Sequence, residues 1–489
     1  MEFYNEDYLN FIPKKKSVFK KSLKKPQTQI SRRAIFVPFC IASILLCAAY
    51  LCFHISALNL SKTRNVKNLT LTEKESLEKK LDELYSERTQ NLHNLPYKTE
   101  GNLFINAKSA ILIDFETGDI LFEKNADEEI PPASMTKLVE MYVVFEEIQK
   151  GKISLDDVVP LPKESWAVNL PSDASIMFLA EGQIVTLREL LLGLSIASGN
   201  DASIAVANYV AGSMDAFVEK MNAAIKELGL SKTHFVESSG YSEKNITTAR
   251  EFASFCREYI KKYPFAISEF HSQKVLKYPL EKNLPEYKRG NGDAESVIQY
   301  NTNKLLGKLE GLDGLKTGFI YESGYNIALT AKRDSRRFIS VSMGGPGVGS
   351  QQGNFYRNQD GTSLLEYAFA NFTDYLCTDE KAFSVNTGAS KQKAVNLIPA
   401  YSENFSSPIL KGKTPEESLE AIEVHAEIPE FLLGDIKQAY PYGALVYSIN
   451  GTVLNKIPLV ADRSSTSKSK FSKLIFKLLY SYKNCFSQE

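Results

Sequence analysis

The chain has 489 residues, 58 Lys plus Arg against 58 Asp plus Glu, and 43% hydrophobic content, which at about 150 residues per domain is material for about three units with real cores. The hydrophobic content excludes a disordered or fibrous chain, a slightly negative mean hydropathy excludes a many-span transporter, and neutrality excludes a whole-body nucleic-acid binder. The neutrality is a sum of unlike parts: residues 1–33 carry nine basic and three acidic groups, residues 463–489 six and one, and residues 34–462 carry 43 basic against 54 acidic groups, net −11.

The basic tail (1–33) ends where charge stops. Ala34–Phe53 is almost entirely apolar over 20 residues, long enough to span a bilayer as a helix. Seven lysines from Lys14 to Lys25, then Arg32 and Arg33, precede it, so the positive-inside bias puts the N-terminus in the cytoplasm and the rest outside. A transmembrane signal anchor is therefore expected at 34–58. A cleaved signal peptide ending near Ile55-Ser56-Ala57 is the alternative, disfavoured because a signal core is typically about 7–15 apolar residues. Residues 59–101 read as a stalk and linker: Thr72-Glu73-Lys74-Glu75 matches a capping box, Leu77, Leu81, Leu84 and Tyr85 follow at helical spacing, and Pro96 and Gly101 mark the link.

Residues 102–376 carry mixed patterns that predict an α/β domain. Ser109–Asp114 and Ile120–Phe122 flank a glycine turn and predict a hairpin; helices are expected from Ser134 to Gln149, at Thr186–Ile196 and at Asp201–Val210; Ile327–Thr330 and Phe338–Val341 read as strands. From 377 to 462 short alternating runs between turns predict a small all-β domain, with Asn450-Gly451 as a hairpin turn. In 463–489, Phe471, Leu474, Ile475, Leu478, Leu479 and Tyr482 fall on one helical face with Lys470, Lys473, Lys477 and Lys483 elsewhere, the pattern of an amphipathic helix lying on lipid. Cys40, Cys47 and Cys52 sit in the apolar run; for Cys256 and Cys377 a bridge and unpaired thiols both remain open. Five scattered histidines without HExxH spacing give no reason to expect a metal, and no cofactor is indicated.

Three triplets carry chemistry. Ser134-Met135-Thr136-Lys137 places a hydroxyl and an amine three residues apart at a helix start. A serine hydroxyl barely ionises near neutral pH and needs a base, and a lysine serves only if burial or another cation lowers its pKa. SxxK alone is cheap, occurring six more times in the chain, and SxN is as cheap, but only Ser198-Gly199-Asn200 sits between two strongly apolar helices. Lys316-Thr317-Gly318 is the one KTG, among strand-like residues. A second ammonium there would lower the pKa of Lys137, Thr317 could bind a substrate carboxylate, and Gly318 would let the substrate backbone lie against the strand. SxxK, SxN and KTG in that order within one domain are far more specific than any member.

At these residues the sequence resembles the penicillin-recognising serine D,D-peptidases, and more closely the low-molecular-weight D-alanyl-D-alanine carboxypeptidases of the peptidase S11 family. Pro132–Lys137, Asp173–Gly182, Ser198–Ala202, Asp215-Ala216-Phe217, Lys232–Phe235, Thr248-Ala249-Arg250 and Gly324-Tyr325-Asn326 all look like that family, as does the tail of a small β domain and an amphipathic helix. The resemblance implies a β-lactamase/transpeptidase-like α/β fold, an antiparallel sheet with helices on both sides. It implies that Ser134 attacks a peptidoglycan stem peptide and is acylated by β-lactam antibiotics, that Lys137 takes the proton, and that Ser198 and Asn200 relay protons and hold the substrate amide. It also implies that Lys316 and Thr317 bind the terminal carboxylate, and that the backbone N–H groups of Ser134 and Phe319 form the oxyanion hole. Ile320 lacks the hydroxyl that members often carry there, which bears on substrate preference. The expected location is a bacterial cytoplasmic membrane with the catalytic domain outside. Rival readings are a D,D-endopeptidase, an inactive wall-binding scaffold, and a class A β-lactamase. The last needs a glutamate in an ExxLN loop, and the one literal match, Glu6–Asn10, lies in the basic tail.

Overall fold

In the computed structural model, which describes residues 69–85, 92–99, 103–290, 295–377 and 381–486, Thr70 rather than Thr72 caps the first helix, α1 (Leu71–Tyr85). Thr70 Oγ1 accepts from the Glu73 N–H at 3.3 Å, and the Glu73 carboxylate takes the Thr70 N–H at 2.8 Å. Two overlapping T-x-x-E frames exist here, and spacing alone does not choose between them. The helix expected as a stalk is docked: Leu77 is buried, and α1 walls a cavity of about 1000 Å³ together with Ile398, Pro399 and Tyr401. The expected span and basic tail lie outside the described residues. Among the described residues no helix is long and apolar enough to cross a membrane.

The hairpin forms as expected, from β2 (Ser109–Asp114) and β3 (Asp119–Lys124), with β1 (His93–Asn94) beside β3 as a parallel edge. A helical layer follows: α2 (Lys137–Gln149), α3 (Leu187–Leu192), α4 (Asn200–Ala211), α5 (Met214–Glu227) and α6 (Ala249–Lys262). After the small hairpin of β4 (Val275–Tyr278) and β5 (Val297–Tyr300), the chain returns through β6 (Leu312–Ile320), β7 (Gly324–Arg333) and β8 (Arg336–Gly345), then enters α7 (Gly349–Asn371). The six-stranded order is β1-β3-β2-β8-β7-β6, antiparallel throughout apart from β1.

Every residue of β2 is buried because both faces are covered. Ile111 and Ile113 face the core shared with α2 to α6, whereas Ala110 and Leu112 face the core shared with α7. Each such leucine or isoleucine contributes about 1.5–3 kcal/mol by leaving water, and two-sided burial is why the run reads as continuously apolar rather than alternating.

β9 (Phe372–Tyr375) leads out of α7. Next come β10 (Phe383–Gly388), β11 (Ala394–Pro399), β12 (Phe405–Pro408), α8 (Pro415–Glu420), β13 (Glu423–Glu427), β14 (Phe431–Leu433), β15 (Pro441–Ile449) and β16 (Thr452–Ala461). β12 pairs with β9, and the rest form a second sheet, β13-β15-β16-β11-β10-β14. The β15–β16 turn is Asn450-Gly451, both at positive φ as an Asn-Gly hairpin requires. The expected all-β domain contains a helix, α8, among its described residues, opened by a Thr414/Glu417 capping box.

The two domains share polar contacts. Ser406 N–H donates to Asp119 Oδ2 at 2.6 Å, and Tyr97 Oη donates to Ser406 O at 2.9 Å. Asp114 and Asp374 lie within hydrogen-bonding reach of each other, and each leaves one buried oxygen with no other donor. Burial raises both carboxyl pKa values, and a proton shared between them satisfies both oxygens. No disulfide joins Cys256 and Cys377; the Cys256 thiol is enclosed in the catalytic core.

The last helix, α9 (Lys470–Phe486), is a separate unit. Phe471, Leu474, Ile475 and Leu478 are exposed along it.

Candidate active site

Ser134 lies in a 3₁₀ turn, Ala133–Thr136, that runs directly into α2. Ala133 is held at φ +52°, a conformation costing on the order of 1 kcal/mol for a residue with a side chain. Two glycines allow it. A Cβ on Gly240 would run into the Ala133 carbonyl, and one on Gly318 would meet the Pro132 carbonyl at 2.5 Å and Ser134 N at 3.2 Å. This gives Gly318 a reason the sequence does not show: its missing side chain admits the serine turn against β6. Asn326 ties β7 to the same turn by donating to the Pro131 carbonyl at 2.9 Å.

The structure brings Ser134, Lys137, Ser198, Asn200, Lys316, Thr317, Gly318 and Phe319 together. Lys137 Nζ donates to Ser134 Oγ at 3.1 Å, to Asn200 Oδ1 at 2.8 Å and to the Ser239 carbonyl. Lys316 Nζ donates to Ser198 Oγ at 3.0 Å. The helix expected over 186–196 is α3, capped by Thr186 and Glu189, followed by a widened turn at Gly193–Ala197. That turn ends with Ser198 at φ +61°, which aims its hydroxyl toward Lys316. Thr317 Oγ1 is engaged with Thr302 Oγ1 at 2.8 Å. Ser134, Asn200 and Phe319 line a cleft of about 260 Å³ rimmed by Asp173, Tyr241, Tyr321 and Glu322.

Lys137 has no exposed surface, and burial lowers its pKa to about 8, opposed by Glu140, Glu237 and Asp201. Burial is thus the first cause, ahead of the second ammonium. At Lys316, burial, then Lys137 and then Arg357 push the pKa well down. An amine titrating near 8 is neutral often enough to accept a proton from the hydroxyl it touches.

Sequence reasoning missed Arg357. It lies in α7, its Nη1 is 3.4 Å from the Gly318 carbonyl, and its guanidinium packs over the Tyr325 ring at 5.6 Å. α7 is polar along its first half, so no periodic signal set this arginine apart. No group of His, Cys, Asp and Glu among the described residues could hold a metal ion.

The profile of the D-alanyl-D-alanine carboxypeptidase family, peptidase S11, matches residues 97–347. D-alanyl-D-alanine carboxypeptidase DacF of Bacillus subtilis (strain 168) is 32% identical over 377 residues, 76% of this chain and 89% of its own. Among solved structures, the D-alanyl-D-alanine carboxypeptidase DacD of Francisella tularensis superposes with a TM-score of 0.65 at 26% identity, over 76% of this chain and 96% of its own. Penicillin-binding protein 5 of Haemophilus influenzae does so with a TM-score of 0.61 at 27% identity, over 76% and 100%. The antiparallel sheet with helices on both sides is the transpeptidase/β-lactamase-like fold these structures share.

Proposed function

Since the chain belongs to the D-alanyl-D-alanine carboxypeptidase family, peptidase S11, and is a serine carboxypeptidase of that kind, we propose that Ser134 is the nucleophile that removes the terminal D-Ala from peptidoglycan stem pentapeptides. The observation that carries this reading is the 3.1 Å contact between Ser134 Oγ and a fully buried Lys137 amine held near pKa 8. Neutral Lys137 takes the Ser134 proton as Oγ bonds to the carbonyl carbon of the penultimate D-Ala. The C–N bond to the terminal D-Ala then breaks, and the leaving amine recovers a proton through Lys137 or the Ser198–Lys316 pair. Water releases the acyl group. The Ser134 and Phe319 N–H groups form the oxyanion hole, typically worth about 3 kcal/mol per donor; the close passage of β6 over Ser134 N supports this. Lys316 and Arg357 supply positive charge and Thr317 a hydroxyl for the substrate carboxylate, and Asn200 holds its amide. Penicillin acylates the same serine. Incubation with a stem pentapeptide is expected to release D-alanine while a cross-linked dimer lacking a terminal D-Ala is left intact; cleavage of the dimer alone would assign an endopeptidase instead.

The proposal also places the protein at a bacterial cytoplasmic membrane, anchored by 34–58 with its catalytic domain outside and α9 lying on lipid. The apolar run, its basic flank and the exposed apolar residues of α9 support it. Chains lacking 1–60, 463–489 or both are expected to show stepwise loss from sedimented membranes, complete only in the double deletion. A double deletion that stays bound contradicts both anchors.

A further inference from the structure

Glu140 lies one helical turn beyond Lys137 on α2, and its side chain has no exposed surface. It does not line the substrate cleft. Its Oε2 accepts from Ser203 Oγ on α4 at 2.8 Å, and Ser203 Oγ lies 2.7 Å from Ser238 Oγ. Ser238 precedes Ser239, whose carbonyl holds Lys137 Nζ, and Gly240, which packs on the serine turn. A buried chain of three side chains therefore runs from Glu140 to the segment that seats the base. Glu140 Oε1, by contrast, is buried with no donor. A carboxylate enclosed with a single donor is poorly satisfied, and its protonated form is the cheaper one.

Of the charges acting on Lys137, that of Glu140 is the strongest, ahead of Glu237 in the 237–240 segment and Asp201 on α4. From β6, Lys316 is the neighbouring cation, with Arg357 of α7 behind it. Burial raises Glu140 to a pKa of about 8, while Lys137 and the Ser203 hydrogen bond pull it down. Two buried groups of opposite charge thus titrate in the same range, and their protons leave as properties of the pair.

We propose that Glu140 is a positioning residue that sets how readily Lys137 becomes a neutral base. Ionised Glu140 holds the ammonium form of Lys137; protonated Glu140 releases it. The inference rests on the reading of Lys137 as the base that activates Ser134. The sign follows from charge alone. A neutral side chain at 140 removes the attraction that keeps Lys137 protonated, so Lys137 reaches its base form at lower pH.

The test is the rate of acylation by fluorescent penicillin, measured on the full-length chain in detergent from about pH 5 to about pH 10. The wild type is expected to rise more gradually than a single-proton curve, because two coupled groups titrate. Glu140→Gln is expected to give a single-proton rise with its midpoint about one unit lower, the size of shift that loss of an adjacent opposite charge produces. Glu140→Asp, which restores a charge, is expected to return the midpoint toward the wild type. Should Glu140→Gln fail to fold, Ser203→Ala serves: it removes the one donor to Glu140, which then stays protonated to higher pH, and the midpoint again falls. Folded variants whose rates drop equally at every pH with the wild-type midpoint would overturn the inference, leaving Glu140 a packing residue. A wild type that acylates with no acid limb would instead overturn the reading of Lys137 itself.

Discussion

Ser134→Ala is expected to bring D-alanine release from a stem pentapeptide down to the uncatalysed background and to abolish covalent labelling by penicillin. No nearby group can substitute. Ser198 is engaged by Lys316 and sits in a left-handed turn, whereas the hydrogen bonds of Lys137 Nζ go to Ser134, Asn200 and Ser239. The substitution removes one hydroxyl from a partly buried position, so the thermal midpoint should stay within a few degrees of the wild type, a change of about 1 kcal/mol. Substrate binding should persist, because Asn200, Lys316 and Arg357 are untouched. Release that survives the substitution would mean that another nucleophile is at work.

Lys137→Met is expected to slow acylation about 10³-fold, the middle of the range for loss of a general base. Methionine matches the length of the lysine stem but accepts no proton. It also strands Asn200 Oδ1 and the Ser239 carbonyl, both of which Lys137 supplies. Each buried acceptor left unsatisfied costs about 1–3 kcal/mol, partly offset because a buried charge has gone. The residual acylation should lose the wild-type limb near pH 8, whereas a purely structural defect would keep that limb at reduced amplitude. Arginine is no substitute: its pKa, above about 12, leaves it without a base form. Stopped-flow acylation across pH separates these outcomes, and a variant retaining more than about a tenth of the wild-type rate would remove Lys137 from the base role.

Much of this site was legible in the chain because its parts are local patterns. SxxK at a helix start, SxN between two helices and KTG in a strand each read correctly as to element, and their order within one domain narrowed the chemistry. What the sequence hid depends on groups far apart along it. The depression of Lys137 comes from enclosure by α4 and the 237–240 segment, which the spacing of Ser134 and Lys137 does not contain. Gly318 reads in the sequence as room for the substrate backbone, and the approach of the 132–134 turn gives it a second reason that no local pattern contains. Arg357 and Glu140 belong to no triplet. The one signal for Glu140 is that it is a charge in an otherwise apolar stretch, Leu138 to Phe145, where a buried carboxyl needs a reason. The docking of α1 on the β domain escaped for the same cause: Leu77 and Leu81 announce an apolar face, but the sequence does not say what covers it.

The central claim is that Ser134 is the residue that becomes acylated. It is tested most directly by incubating the wild-type chain with penicillin, digesting it, and locating the penicilloyl adduct by peptide mass spectrometry. The adduct is expected on Ser134, in the peptide that contains Pro132 to Thr136. An adduct on Ser198 or any other residue, or no adduct at all, would contradict it.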